Sequence, residues 1–256
     1  MKSGPITARM VAMATERSIS QDGGRQRKSL KKIAAHLLME ACGLRHLQGS
    51  KASRLIRAVL LEIDLQHLRD TQPCKSFAVR ERMYDYVQES AIKEEGIDYL
   101  EFGVWNGRTI RYWANLNKNE HSRFFGFDSF VGLPEDWGPD RPKGHFDVGG
   151  AIPRIDDARV SFIKGWFVDT IPAFTREFST ENRLVLHLDA DLYGSTMLAL
   201  VHLGPWFSKG TLIFFDEFYD REHEFRALMD WQAIYRKSFR IIAEVANYGI
   251  VCAELE

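Results

Sequence analysis

The stretch Tyr99-Leu-Glu-Phe-Gly-Val-Trp-Asn-Gly-Arg-Thr109 decides the fold. An apolar run over residues 97–104 contains Gly103, and after Gly107 a helical pattern opens over 108–116. Strand, glycine turn and helix N-terminus follow one another directly. In open α/β sheets such a turn lies at the carboxyl end of a strand, where ligands bind. Residue 105 narrows the ligand. Dinucleotide folds want a second glycine near that position, so that the backbone can approach a pyrophosphate. Trp105 stands there instead. Its bulk argues against a pyrophosphate and for an adenosine cofactor without one, of which S-adenosylmethionine is the common example.

Outward from this turn the pattern alternates. Strands are expected at 97–104, 123–128, 159–164, 184–189 and 211–216, with helices at 108–116, 171–178, 196–207 and 224–237. Strands alternating with helices give βαβ units and a parallel sheet. The end differs: 239–245, then Asn247-Tyr-Gly249, then 250–255 reads as an antiparallel hairpin with a glycine turn. Five parallel strands closed by a hairpin make a mostly parallel, seven-stranded, Rossmann-like sheet of the class I methyltransferase layout. The connection 129–158 is rich in Gly, Pro and Asp. Irregular connections of that length are uncommon and usually functional, so a cover over the site is expected, with a surface insert as the alternative.

The N-terminal region is of another kind. Residues 1–60 hold 12 Lys/Arg against 3 Asp/Glu, while the remainder holds 22 against 32. We expect a flexible basic arm over 1–28, a helical extension over 29–76 with apolar spacing at 30–47 and 55–68, a third helix at 79–90, and the main domain over 77–256. The arm reads as a solvated segment against an acidic body, and nucleic acid is not an expected partner. The amphipathic helices offer an element for self-association. No run of about 18 apolar residues exists, so no membrane span is expected. Cys42, Cys74 and Cys252 form neither a disulfide framework nor a close-spaced zinc motif. A reducing cytoplasm is the simplest home.

The chemistry gathers at strand ends. Asp128, followed by Ser129, ends the second strand, 21 residues past Gly107. An acidic residue there can accept hydrogen bonds from both ribose hydroxyls; capping a loop is the alternative. Trp166 follows the third strand and could stack on adenine or serve as a core aromatic. Asp189 ends the fourth strand, and Asp216 and Glu217 end the fifth. Three carboxylates at neighbouring strand ends suit one hard cation such as Mg²⁺. Without a cation they repel one another, unless one is a base and the others are capped or paired. Asp191 lies two residues beyond Asp189 and is the candidate general base, against a role as cap of the next helix. His187 reads as packing at a strand end and His223 as a surface residue.

Five motifs in order carry a resemblance: Glu101-Phe-Gly-Val-Trp-Asn-Gly107, Phe127-Asp-Ser-Phe-Val-Gly-Leu-Pro134, Lys164-Gly-Trp-Phe-Val-Asp-Thr-Ile-Pro172, Leu188-Asp-Ala-Asp-Leu-Tyr193 and Phe215-Asp-Glu-Phe218. Over residues 77–256 the chain resembles the macrocin O-methyltransferase (TylF-type) family. The resemblance implies a class I fold, S-adenosylmethionine and Mg²⁺, and a sugar or sugar-like hydroxyl of a natural product as acceptor. It implies that Glu101, Gly103 and Gly107 hold the methionine part of the cofactor, with Trp105 in the same turn. Asp128 would hold the ribose, Asp189, Asp216 and Glu217 the metal, and Asp191 would be the base. Some relatives carry Asp-Asp where this chain has Asp216-Glu217, a longer side chain at the second position. Two other classes stay open: a nucleotide-dependent oxidoreductase on a similar fold, and a non-catalytic S-adenosylmethionine-binding protein.

Overall fold

The computed structural model describes residues 64–256 apart from Arg69, Pro139 and Arg221. The expected arm at 1–28 and the first helical pattern at 30–47 lie outside the described residues. Of the second pattern, residues 64–68 are described and are helical. Among the described residues no helix is long and apolar enough to cross a membrane.

Eight strands form one sheet, in the order β1-β7-β8-β6-β5-β2-β3-β4. They are β1 (Lys75–Phe77), β2 (Ile97–Phe102), β3 (Arg123–Asp128), β4 (Val160–Lys164), β5 (Arg183–Leu188), β6 (Leu212–Phe215), β7 (Phe239–Val245) and β8 (Ile250–Leu255). The helices are α1 (Arg80–Val87), α2 (Arg108–Leu116), α3 (Phe167–Thr175), α4 (Tyr193–Leu203) and α5 (Glu224–Tyr235). Only β8 runs antiparallel to its neighbours, between β6 and β7.

The sheet thus has one strand more than the sequence pattern predicts. β1 pairs in parallel with β7 at the edge. Its three residues are too few for a period-two pattern to register. The hairpin stands where expected, but its left-handed residues are Ala246, Asn247 and Tyr248 rather than Gly249. Helix α3 starts at Phe167 and α4 at Tyr193, each earlier than expected, so both helices begin almost directly at their strand ends.

All six residues of β2 are buried. That is how a parallel strand behaves when helices cover both faces. Alternation sorts its side chains. Leu100 and Phe102 join the core that includes Ile171 of α3, Leu200 of α4 and Trp231 of α5. Ile97 and Tyr99 join the opposite core, with Tyr84 of α1 and Trp113 of α2. β2 pairs with β3 on one side and with β5 on the other. The chain leaves β2 outward through β3 and β4, then crosses back over β2 to β5 on its other side. Ligands in doubly wound sheets bind in the crevice at the carboxyl ends where this reversal occurs.

Candidate active site

A cavity of about 550 Å³ opens at that reversal. Its walls include Gly103, Trp105, Asp128, Ser129, Trp166, Asp189 and Asp191, all singled out by the sequence. A second cavity, of about 590 Å³, lies at the amino ends of the strands, where Arg183 pairs with Glu254 and Glu95; it holds none of these residues.

Gly103 makes the closest approach. Its φ is +97°, and a Cβ there would lie 1.8 Å from the carbonyl oxygen of Asp189. Only glycine fits between the ends of β2 and β5. Gly107 caps α2 with φ +74°, and a Cβ would meet Pro153 at 2.9 Å. Gly107 does not line the cavity; it shapes the turn behind it.

Asp128 both caps this turn and lines the cavity. Its Oδ2 accepts from the backbone N–H of Val104 at 2.8 Å and of Trp105 at 2.7 Å, and its Oδ1 from that of Phe130 at 2.7 Å. A carboxylate has about four acceptor sites, so capacity remains toward the cavity. The two alternatives posed by the sequence are therefore compatible. Ser129 donates to the Gly132 carbonyl at 3.0 Å. Trp105 is half exposed, at φ +49°, and meets Phe146 edge-to-face at 6.2 Å. Trp166, at the start of α3, presents a partly exposed ring to the cavity and is not a core aromatic.

The connection 129–158 forms part of the wall. Leu133 and Trp137 pack on Leu192, and Leu133, Glu135 and Phe146 line the cavity. It is anchored by backbone bonds such as Gly150 N–H to the Phe130 carbonyl at 2.7 Å.

Glu101 departs from expectation. It is buried on the Tyr99 face of β2 and does not line the cavity. Tyr99 donates to it at 2.7 Å and lies 2.9 Å from His187 Nδ1, while His187 Nε2 lies 3.6 Å from Asp216 Oδ1. A buried polar chain thus runs from Glu101 to Asp216 behind the strand ends. Period-two alternation is the cause: Glu101 and His187 are register partners on adjacent strands. Burial pushes the Glu101 carboxyl up to about 8, against the hydrogen bond from Tyr99.

The carboxylates converge as expected, though not as one triad. Asp189 is shared by two groups whose ligand atoms lie within 4.8 Å of one another. One is His187, Asp189 and Asp216; the other is Asp189, Asp191 and Glu217. Consecutive residues after β6 diverge, so Asp216 and Glu217 serve different groups. Asp191 has φ +59°, and the helix it precedes takes no side-chain cap. The capping alternative therefore does not hold, and Asp191 lines the cavity instead. Burial pushes Asp191 up to about 7. Burial, then Asp216 and Asp191, hold Asp189 well above the ordinary carboxylate range. Burial and the charges of Asp189 and Glu224 push Glu217 upward too.

Four neighbours escaped the sequence reading. Glu224, the buried first residue of α5, accepts from the backbone N–H of Ala190 at 3.2 Å and of Glu217 at 3.0 Å. It ties the ends of β5 and β6 together. Arg80 of α1 pairs with Asp216 at 3.0 Å. Tyr99 links Glu101 to His187, and Arg141 exerts its charge on Asp191 from the 129–158 connection. Only Glu224 carried a signal, as an acidic residue opening a helix. His223 is half-buried, accepts from Tyr193 N–H at 3.1 Å and packs edge-on against Trp137.

The residues present fit a hard divalent cation. Glu217 Oε2 and His187 Nε2 are buried without a hydrogen-bond partner. Unpaired buried polar atoms are costly, and a cation held in either group beside the shared Asp189 would satisfy the one belonging to that group.

Residues 75–252 match the family model described as macrocin-O-methyltransferase (TylF). The mycinamicin III 3''-O-methyltransferase of Micromonospora griseorubida is 30% identical over 154 residues, covering 51% of this chain and 59% of that protein. A tetracenomycin-C derivative 4'-O-methyltransferase of Streptomyces olivaceus is also 30% identical over 154 residues, covering 50% and 58%. These matches span less than two thirds of the relatives' own length. Among solved structures, a calicheamicin methyltransferase superposes with a TM-score of 0.52 at 19% identity, covering 93% of this chain and 95% of that one. The O-methyltransferase NovP gives 0.52 at 20% identity, covering 77% and 98%. At such identities the superpositions establish the fold.

Proposed function

The chain belongs to the macrocin O-methyltransferase family, and we propose that it is an S-adenosylmethionine-dependent, Mg²⁺-assisted O-methyltransferase. The acceptor is a hydroxyl of a sugar or sugar-like natural product, as the names of its relatives indicate for those proteins. The observation that carries this is a shared cavity: the Gly103 turn, Asp128 and Trp166 line the same space as Asp189 and Asp191. Family membership speaks against the oxidoreductase alternative.

When bound, S-adenosylmethionine supplies a sulfonium methyl group for transfer to oxygen. The turn at Gly103 and Trp105 holds its methionine part, with Glu101 supporting the turn from behind rather than touching it. The remaining acceptor capacity of Asp128 holds the ribose, and Trp166 covers the adenine. Ser129 orders the loop beside Asp128. When bound, Mg²⁺ would supply positive charge that offsets the repulsion among the carboxylates and favours ionisation of the acceptor hydroxyl. Asp189 would hold it in either group, with Asp216 and His187 on one side or Glu217 on the other. Asp191 takes the proton of the acceptor hydroxyl. Its carboxyl, at about 7, is matched to work near neutral pH, where a general base performs best. The 129–158 connection excludes water and holds donor and acceptor in contact, an arrangement that can remove about 7–11 kcal/mol of barrier in well-oriented cases.

Transfer of labelled methyl groups from S-adenosylmethionine to a panel of glycosides tests this. EDTA should abolish turnover and added Mg²⁺ restore it. No transfer to any glycoside would favour a non-catalytic binding protein, and full turnover in EDTA would remove the metal.

A further inference from the structure

Arg80 opens α1 and reaches the carboxylates from the edge of the site. Its Nη1 lies 3.0 Å from Asp216 Oδ1, and about a third of its side chain is exposed, at 34%. Asp216 is almost fully buried, at 5%. The contact is an ion pair without a well-formed hydrogen bond, since Asp216 Oδ1 has none. The guanidinium also feels the charges of Asp189 and Glu217. On the other side of Asp189, the oxygen Glu217 Oε2 is buried with no hydrogen-bond partner.

Two cations cannot share one oxygen cheaply. A guanidinium stays charged at any accessible pH, so it repels a divalent ion brought to the same carboxylate. The pair lacks a well-formed hydrogen bond and its guanidinium is partly in solvent, so it gives way to a divalent competitor, whose attraction to the same carboxylates is stronger. The side chain also has an outlet, because its exposed portion faces solvent. We propose, resting on the Mg²⁺ assignment above, that Arg80 is the resident cation of the metal-free site. It holds Asp216 and offsets the mutual repulsion of the carboxylates until a divalent ion displaces it. It thereby sets the metal affinity below what the carboxylates alone would give.

Mn²⁺ binding to the full chain, followed by calorimetry and by the electron paramagnetic resonance of the free ion, tests this. Arg80→Gln should bind Mn²⁺ about tenfold more tightly or better, a gain of about 1.4 kcal/mol. Arg80→Lys keeps the charge and should stay near wild type. In EDTA, Arg80→Gln should melt below wild type and gain more on Mn²⁺ addition. A second measurement needs no variant: the rate at which phenylglyoxal modifies Arg80, read by mass spectrometry, should rise when Mn²⁺ is added. Unchanged or weaker Mn²⁺ binding by folded Arg80→Gln overturns the proposal, as does an unchanged or slower modification rate. If neither wild type nor Arg80→Gln binds Mn²⁺ at millimolar concentration, the metal assignment itself fails and the role of Arg80 falls with it.

Discussion

Replacing Gly103 with alanine strikes the close approach between the turn and the backbone of Asp189. The added Cβ would lie 1.8 Å from the Asp189 carbonyl oxygen and 2.8 Å from its carbonyl carbon. Both are backbone atoms and cannot rotate away. The ends of β2 and β5 must part by about 1 Å or more to accept the methyl group, an overpacking change that costs about 1–3 kcal/mol. A left-handed φ on a residue with a Cβ adds about 1–2 kcal/mol. The hydrogen bond across this seam, Asp189 N–H to Phe102 O at 3.0 Å, lengthens as the strands part. The expected loss is about 2–5 kcal/mol, read from urea unfolding by linear extrapolation. Because Asp189 belongs to both donor groups, Mn²⁺ affinity should fall with stability. A variant with the wild-type midpoint and slope and wild-type Mn²⁺ affinity would show that the close approach is not a constraint.

Two further substitutions probe the polar side. Asp128→Ala leaves the N–H groups of Val104, Trp105 and Phe130 without their acceptor; calorimetry should show binding of S-adenosylhomocysteine weakened by about 1.5–3 kcal/mol, and unchanged affinity would detach Asp128 from the cofactor. Glu101 is raised from 4.5 to about 8, so the folded state keeps its proton after the unfolded state has lost it. Its contribution is whole below about pH 4.5 and drains away as pH rises toward 8. Glu101→Gln removes that drain. In EDTA the variant should lose less stability than wild type between about pH 5 and 8, by up to about 4 kcal/mol at about 1.4 per pH unit; parallel curves would refute the assignment.

Much of this was legible in the sequence, for physical reasons that differ from element to element. β2, β5 and β6 are almost wholly buried, so they read as predominantly apolar runs. The hairpin strands were legible to the residue because turn residues bound them. β1 was not, since three residues show no period. Within the site, Gly103 and the strand-end acids were legible because topology alone carries strand ends to one crevice. The placement of Glu101 was not read, although alternation points it away from the crevice that Gly103 faces. The roles of Arg80 and Glu224 were not legible for another reason, although Glu224 shows itself as an acidic residue opening a helix. Each acts on residues far away in the chain, and each depends on where a helix docks rather than on any local pattern.

Asp191 is where sequence and structure leave a choice that chemistry can decide. The sequence offers it as the candidate base, and the structure gives it two properties. It lines the cavity at φ +59°, and it lies within ligand distance of Asp189 and Glu217. One carboxylate cannot both hold a cation and accept the acceptor's proton well, because a bound cation lowers its basicity. A cation drawn to Asp189 and Asp216 leaves Asp191 free for the proton; one drawn to Asp189, Asp191 and Glu217 removes the base. Arg80 pairs with Asp216, so the Asp216 side already draws a cation. We therefore expect Asp191→Asn to leave Mn²⁺ affinity at the wild-type value while turnover falls by about 10²–10⁴, the usual contribution of a general base. The pH dependence of the residual rate should also flatten around neutrality, since the titrating base is gone. Mn²⁺ affinity that falls tenfold or more in Asp191→Asn would make Asp191 a ligand instead, and the proton would then need another acceptor.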